Sequence, residues 1–136
     1  MFLAGIELPV GFKFVRSNDE NGNCGVCFLI QAENINGAER LEAIMGEHLG
    51  VHRPINSGRH VYSAWDVVNS KVGGHHPDWD YFRHPKNRRI KTNYRQPLRQ
   101  TDDYLKRTVL CSTPYGWSKQ NIGKAIERIN RRLARL

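Results

Sequence analysis

The pattern of apolar residues over 119–135 restricts the possible folds more than any other feature of the sequence. Apolar side chains recur there with the period of an α-helix, and basic side chains occupy the opposite face. The apolar positions are Ile122, Ala125, Ile126, Ile129, Leu133 and Leu136. Ser118 is a suitable N-cap. Such a helix is stable only when its apolar stripe is buried, so the chain must also provide a layer for it to pack against.

Short β-strands are the predicted source of that layer. Residues 26–30 (VCFLI) form an apolar run of strand length, and the preceding polar cluster contains Asn21-Gly22, a typical hairpin turn. We therefore predict a hairpin made of residues 12–16 and 25–32. Residues 107–111 (RTVLC) predict a further strand.

A second amphipathic pattern follows the hairpin. Asn36-Gly37 is expected to open a helix over 37–49, and Gly50 is placed to cap its end. A second extended segment is expected from Val51 to Pro54, because a proline pushes the residue before it out of helical space. Further along the chain, residues 102–103 are expected to start a short helical turn.

The predicted order β-β-α-loop-β-α favours an α+β fold, with a small antiparallel or mixed sheet and two main helices packed on one face. The 136 residues are expected to form a single domain, 1–136. No apolar run approaches the ~20 residues that a membrane span needs, so no membrane partner is expected. Three cysteines fit a reducing compartment better than a disulfide scaffold, which favours the cytoplasm.

The net charge of +8 is unevenly distributed along the chain. Residues 1–68 carry 5 basic and 8 acidic side chains, whereas residues 69–136 carry 16 basic and 5 acidic ones. A basic half of this kind is typical of proteins whose partner bears phosphate: nucleic acid, a nucleotide-linked substrate or a phosphorylated cofactor. A basic face that is simply solvated is the alternative.

The cysteine and histidine patterns do not predict a metal or redox site. Cys24 and Cys27 form a C-x-x-C motif, but it runs directly into a strand rather than a helix start, so the helix N-terminus that supports a redox pair of this kind is missing. We interpret both as small strand or turn residues. A zinc site would need two further ligands, and His75, His76 and His84 have no familiar ligand spacing.

Polar and aromatic side chains are instead concentrated in the loops. The sequence has no Gly-rich phosphate loop and no nucleophile elbow. The carboxylate pairs Asp78/Asp80 and Asp102/Asp103 are expected to be solvated turn residues. Arginine forks bind phosphate or carboxylate, and histidine with tyrosine can orient sugar hydroxyls, while the same residue types can bind nucleic acid. The candidate ligand-facing residues are His52, Arg53, Arg59, His60, Tyr62, Trp65, Tyr81, His84, Asn93, Tyr94 and Arg95.

Three segments resemble the C-terminal domain of the DegT/DnrJ/EryC1/StrS family of sugar aminotransferases, which depend on pyridoxal phosphate. They are residues 5–33 (GIELPVGFKFVRSNDENGNCGVCFLIQAE), the helix 37–49 with the following Gly50-Val51-His52, and residues 105–130 (LKRTVLCSTPYGWSKQNIGKAIERIN). Within the family, the chain is most similar to enzymes of sugar-nucleotide and lipopolysaccharide sugar biosynthesis, including those that act on eight-carbon sugar acids.

The resemblance implies a small, substrate-facing domain that works with a large domain. In the family the large domain carries the Schiff-base lysine and most of the pyridoxal phosphate site, and no lysine of this sequence lies in the family's lysine motif. We therefore assign no catalytic residue and expect this chain not to transaminate alone. The family further implies a keto-sugar substrate bearing phosphate or a nucleotide, and a homodimer when the enzyme is complete.

The resemblance also implies substrate contacts along 52–65 and in the basic loop 83–95. The favoured residues are His60, Tyr62, Arg59, Arg53, His52, Asn93 and Arg95. The Tyr-x-Pro-x-His segment of many relatives is replaced here by His-Arg-Pro-Ile-Asn (52–56). The identity of the sugar therefore stays open.

Two other functions remain compatible with the sequence. The chain could be a small basic nucleic-acid-binding domain that uses residues 83–135, and its affinity would then fall by orders of magnitude between low and moderate salt. It could also be a stand-alone structural or regulatory partner domain, which predicts neither ligand. A sugar ligand would show a much gentler salt dependence.

Overall fold

One four-stranded antiparallel sheet forms the centre of the structure, a computed structural model that describes residues 5–19, 21–22, 24–71, 73, 76–87 and 98–136. The strands are β1 (Phe12–Phe14), β2 (Cys27–Ala32), β3 (Val51–His52) and β4 (Thr108–Ser112). The helices are α1 (Ile35–Gly46), α2 (Asp66–Asn69), α3 (Arg99–Lys106) and α4 (Lys119–Leu133). The spatial order of strands is β1-β2-β4-β3, so β2 and β4 are central.

The predicted hairpin is confirmed. Phe12 pairs with Ala32 and Phe14 with Ile30 in an antiparallel register. The regular part of β1 ends earlier than predicted, yet the Val15 amide still donates to the Leu29 carbonyl at 2.9 Å. The extended segment after Gly50 is also confirmed as the edge strand β3, which pairs with β4.

Alternate residues of the two central strands project into one apolar core. Phe28 lies opposite Cys111, and Ile30 lies opposite Val109. Side chains of α1 and α4 complete the same core, which contains Leu41, Met45, Ile129 and Leu133, each at most 1% exposed. Both main helices therefore pack on the same face of the sheet, and the predicted α+β class is confirmed.

The boundaries of α1 differ from the prediction. The Asn34 side chain accepts a hydrogen bond from the Gly37 amide at 2.8 Å, so Asn34 is the N-cap and the helix begins at Ile35. The regular helix ends at Gly46, and an additional turn follows in which the Leu49 amide donates to the Met45 carbonyl. The prediction that Gly50 caps the helix was therefore wrong: its carbonyl accepts from the Ser112 amide in the sheet.

The C-terminal elements lie close to their predicted places. Asp102 and Asp103 lie inside α3, which begins at Arg99 rather than at the carboxylates. β4 runs one residue further along the chain than predicted. Ser118 caps α4 as expected, because its hydroxyl accepts from the Asn121 amide at 3.2 Å. Within the described ranges, no helix combines the length and apolar character that crossing a membrane requires.

A small polar cluster organises part of the long loop before α3. Asp80 is only 8% exposed, so the prediction of a solvated turn residue was wrong for it. Its carboxylate accepts from the Phe82 amide at 3.0 Å and pairs with the Arg83 guanidinium at 2.9 Å. Gly73 approaches it so closely that a Cβ there would lie 2.6 Å from the Asp80 Cα.

Candidate functional site

The segment from Arg53 to Tyr62, which we call the strap, carries most of the predicted site residues. It leaves the edge strand β3 and continues as two 3₁₀ turns, Pro54–Asn56 and Gly58–His60. The first turn contacts both α3 and β4. Pro54 fixes the backbone at the start of this turn, and Gly58 adopts a φ of +62°, a conformation that glycine tolerates without strain.

Arg53 anchors the first end of the strap to α1. Its Nε donates to Glu42 Oε2 at 2.8 Å and its Nη1 to Glu39 Oε1 at 3.0 Å. The Arg53 backbone amide donates to the other oxygen of Glu42 at 2.9 Å. The side chain is 15% exposed. This geometry argues against the predicted phosphate contact by Arg53, because its guanidinium already donates hydrogen bonds to two carboxylates.

Tyr62 anchors the second end to α3. Its hydroxyl donates to Asp102 Oδ2 at 3.0 Å and accepts from the Leu98 amide at 2.7 Å. The neighbouring Val61 is 3% exposed, so this end of the strap also buries an apolar side chain. Tyr62 thus has protein partners for donation and acceptance, which makes it a positioning residue rather than a free substrate ligand. Asp102 is also not the freely solvated turn residue that was predicted.

Among the favoured site residues whose side chains the structure describes, His60 and His52 are the exposed ones. Both are exposed, and neither imidazole bonds to another described residue. A neutral imidazole can donate one hydrogen bond and accept another, so His60 can orient a sugar hydroxyl or a phosphate. The predicted contacts by the Arg59 side chain, Asn93 and Arg95 lie outside the described residues. The structure thus leaves the strap as a fixed loop that presents His60 between two anchors.

The residues that hold the strap were not predicted from the sequence. Glu39 and Glu42 lie three residues apart on α1, a spacing that places both on one helix face. The Arg53 anchor could have been predicted from this spacing together with the basic residue that follows. Nothing local indicated the Tyr62–Asp102 contact, because 40 residues separate its partners.

A groove of about 500 Å³ lies at the outer edge of the sheet and was also missed. Lys13, Gln31, Glu33 and Arg107 contribute polar groups to it. Arg107 is held by Asp103 through contacts of 2.6 and 2.9 Å and donates to the Ala32 carbonyl. Asp103 is therefore the partner of a fixed guanidinium and lies in α3 rather than in a turn, but its side chain is 52% exposed and thus solvated as predicted.

The described residues do not fit pyridoxal phosphate by themselves. Imine chemistry needs a lysine whose amine is activated, for example by removal from water. Each of the six lysines within the described ranges is exposed, and Lys91 lies outside those ranges. Over the same part of the chain, no three His, Cys, Asp or Glu side chains are grouped so that they could hold a metal ion.

The three cysteines have different surroundings. Cys24 and Cys27 are free and exposed: Cys24 lies in the connection between β1 and β2, and Cys27 begins β2, in agreement with the interpretation made from the sequence. Cys111 is fully buried in the core. Burial raises the pKa of Cys111 from its ordinary 9.0 to about 12, and the nearby Cys27 adds to the rise. Cys111 is therefore an unreactive thiol in the folded protein.

No known protein family matches this chain, and no curated protein matches it either. The features that bear on the function are the anchored strap, the exposed His60 and the exposed lysines.

Proposed function

We propose that this chain is the small, substrate-facing domain of a pyridoxal-phosphate-dependent aminotransferase that acts on keto-sugars bearing phosphate or a nucleotide. One observation carries the proposal: the three segments that resemble the family assemble into a single layer of sheet and helices. Residues 5–33 supply β1 and β2, residues 37–52 supply most of α1 and all of β3, and residues 105–130 supply β4 and most of α4. Segments that resemble one domain in sequence thus also pack together as one unit.

In this proposal the strap binds the substrate. His60 contacts a hydroxyl or phosphate oxygen of the keto-sugar, and His52, the last residue of β3, immediately precedes the strap. Arg53 and Tyr62 act as positioning residues, since their polar groups are bonded to α1 and α3. A fixed loop of this kind lowers the entropy cost of binding a polar ligand.

The cofactor belongs to a second domain in this proposal. The exposed lysines of this chain do not fit an imine with pyridoxal phosphate, so the cofactor and its lysine are assigned to the large domain of the same enzyme. The resemblance further supports a homodimer and a role in lipopolysaccharide sugar biosynthesis, and the cysteine usage supports a cytoplasmic setting. The chain alone is expected to bind substrate weakly and not to transaminate.

The test is a reconstituted enzyme with strap variants. The chain is combined with a large domain that carries a candidate Schiff-base lysine, sought by sequencing the DNA that flanks the coding region, and transamination of a phosphorylated keto-sugar is measured. We expect His60→Ala to raise KM about tenfold with a smaller change in kcat, since a lost hydrogen bond to a charged group costs roughly 1.5 kcal/mol. His76→Ala is the control, because His76 is exposed and bonds only locally. Unchanged kinetics for His60→Ala would show that the strap does not contact the substrate.

A further inference from the structure

A second groove, of about 470 Å³, lies between the end of α1 and the first half of α4. Its polar and aromatic lining consists of Glu47, His48, Trp117, Asn121, Lys124 and Arg128. The proposed aminotransferase function does not use any of these residues.

The groove carries positive charge that no carboxylate among the described residues neutralises. Lys124 and Arg128 are exposed, and neither forms an ion pair with another described residue. The acid in the lining, Glu47, is already bound to Arg132 at 2.6 Å. By contrast, Arg53, Arg83 and Arg107 are all paired with carboxylates. The groove is therefore suited to an anionic ligand.

The charge continues beyond the groove as a linear stripe on α4. Lys124, Arg128, Arg131 and Arg135 are spaced four, three and four residues apart, which places them on one side of a helix. Backbone hydrogen bonds continue the helical turn past Leu133 to Arg135, whose amide donates to the Arg132 carbonyl. Eleven residues of helix extend about 16 Å, so the stripe can follow a row of anionic groups rather than a single one.

Aromatic side chains lie at the N-terminal end of this stripe. Trp117 lines the groove and is 39% exposed, and Tyr115 in the preceding turn is 79% exposed. Exposed aromatic faces beside a basic track are the combination that stacks bases and contacts phosphates in single-stranded nucleic acid. An acidic peptide would use the charges but would leave Trp117 without a stacking partner.

We propose that the groove and the α4 stripe bind single-stranded nucleic acid, with a base stacked on Trp117 and the backbone phosphates along Lys124, Arg128, Arg131 and Arg135. The site is separate from the strap, and the proposal does not rest on the proposed aminotransferase function. Recognition is by backbone charge and stacking, so little preference for base sequence is expected.

The test measures binding of a fluorescent oligothymidylate of about 12 nucleotides to the full chain by anisotropy. Contact with four phosphates predicts a slope of about −3 for the logarithm of the association constant against the logarithm of salt concentration. We expect Lys124→Ala/Arg128→Ala to reduce this slope to roughly half and to weaken binding at least tenfold at low salt. Trp117→Ala should weaken binding roughly 5- to 100-fold through lost stacking, and Trp117→Phe should restore most of it.

The control variant, Lys86→Ala/Lys106→Ala, removes the same charge from other exposed positions and should keep the wild-type affinity within about twofold. Circular dichroism establishes that each variant is folded. An equal loss of affinity in the control would overturn the proposal, because net charge alone would then explain binding. Equal affinity for a mononucleotide or for polyglutamate would also overturn it, in favour of a nucleotide pocket or an acidic protein partner.

Discussion

At the scale of single residues, Tyr62 has the clearest structural role in the candidate site. Its hydroxyl connects the strap to α3 by bonding both Asp102 and the Leu98 amide. Its partners come from parts of the chain more than 30 residues away, so the loss of one oxygen atom should loosen two elements at once. Tyr62 therefore differs in role from His60. The His60 imidazole lacks a partner among the described residues, so its loss should affect ligand binding alone.

Tyr62→Phe is predicted to lower the free energy of unfolding by about 1 to 2 kcal/mol. The variant removes two hydrogen bonds, one of them to a charged carboxylate, while keeping the ring. Urea unfolding measures the change, and hydrogen exchange of the Leu98 amide should become faster. Tyr115→Phe is the matched control, because Tyr115 is 79% exposed and the change should stay within about 0.5 kcal/mol. Equal effects of the two variants would contradict the anchoring role.

The buried thiol of Cys111 predicts a loss of stability at alkaline pH. Its pKa is raised to about 12 in the folded state by burial, against an ordinary 9.0 in the unfolded state. Between these values the unfolded chain releases a proton that the folded protein keeps, so unfolding becomes easier as pH rises. From pH 8 to pH 10 the Cys111 contribution should fall by about 1.4 kcal/mol.

The comparison with Cys111→Ala isolates this effect. Urea unfolding of both proteins at pH 8 and pH 10, with a reductant present, measures the difference between their pH dependences. Other groups titrate equally in the two proteins and cancel. A Cys111→Ala protein that loses as much stability as the wild type over this interval would show that the thiol is not shielded from water.

At the scale of elements, the Arg53 contacts hold the strap on α1. The Arg53–Glu42 pair is partly buried, and the Arg53 guanidinium also contacts a second carboxylate, that of Glu39. Arg132 and Glu47 form a pair of the same type at 2.6 Å, but both side chains are 47% exposed. Water therefore screens the second pair more strongly than the first.

Arg53→Ala is expected to cost about 1 to 2 kcal/mol of unfolding free energy, whereas Arg132→Ala should cost less than about 1 kcal/mol. A double-mutant cycle of Arg53→Ala with Glu42→Ala measures the coupling between the two side chains. Coupling close to zero would mean that the contact does not fix the strap. The Arg132→Ala variant serves as the exposed-pair control in the same unfolding assay.

Elements with a strong apolar pattern could be predicted from the sequence, and contacts between distant residues could not. The hairpin, α4 and its Ser118 cap follow from local patterns because turn and capping preferences act over a few residues. The start of α1 was missed because Asn34 and Asn36 are both suitable caps, and only the folded helix selects Asn34. Of the candidate site, the strap was found, but the anchoring of Arg53 and Tyr62 depends on tertiary contacts.

At the scale of the whole molecule, the structure separates the proposed sugar site from the basic surface. The strap leaves β3 and bonds to α1 and α3, whereas the unpaired cations follow α4. Within the described structure, only some basic residues of the second half of the chain are therefore paired with carboxylates. Two ligand classes can be tested on one protein, since variants in one site do not alter the residues of the other.

The most direct test of the central claim locates the pyridoxal phosphate imine. The chain alone, and the chain mixed with a large domain that carries a candidate Schiff-base lysine, are incubated with the cofactor and reduced with borohydride, and the modified lysine is identified by mass spectrometry. We predict a specific adduct only on a lysine of the large domain, together with transamination only in the mixture. A stoichiometric adduct on any lysine of this chain, or transamination by the chain alone, would contradict the account.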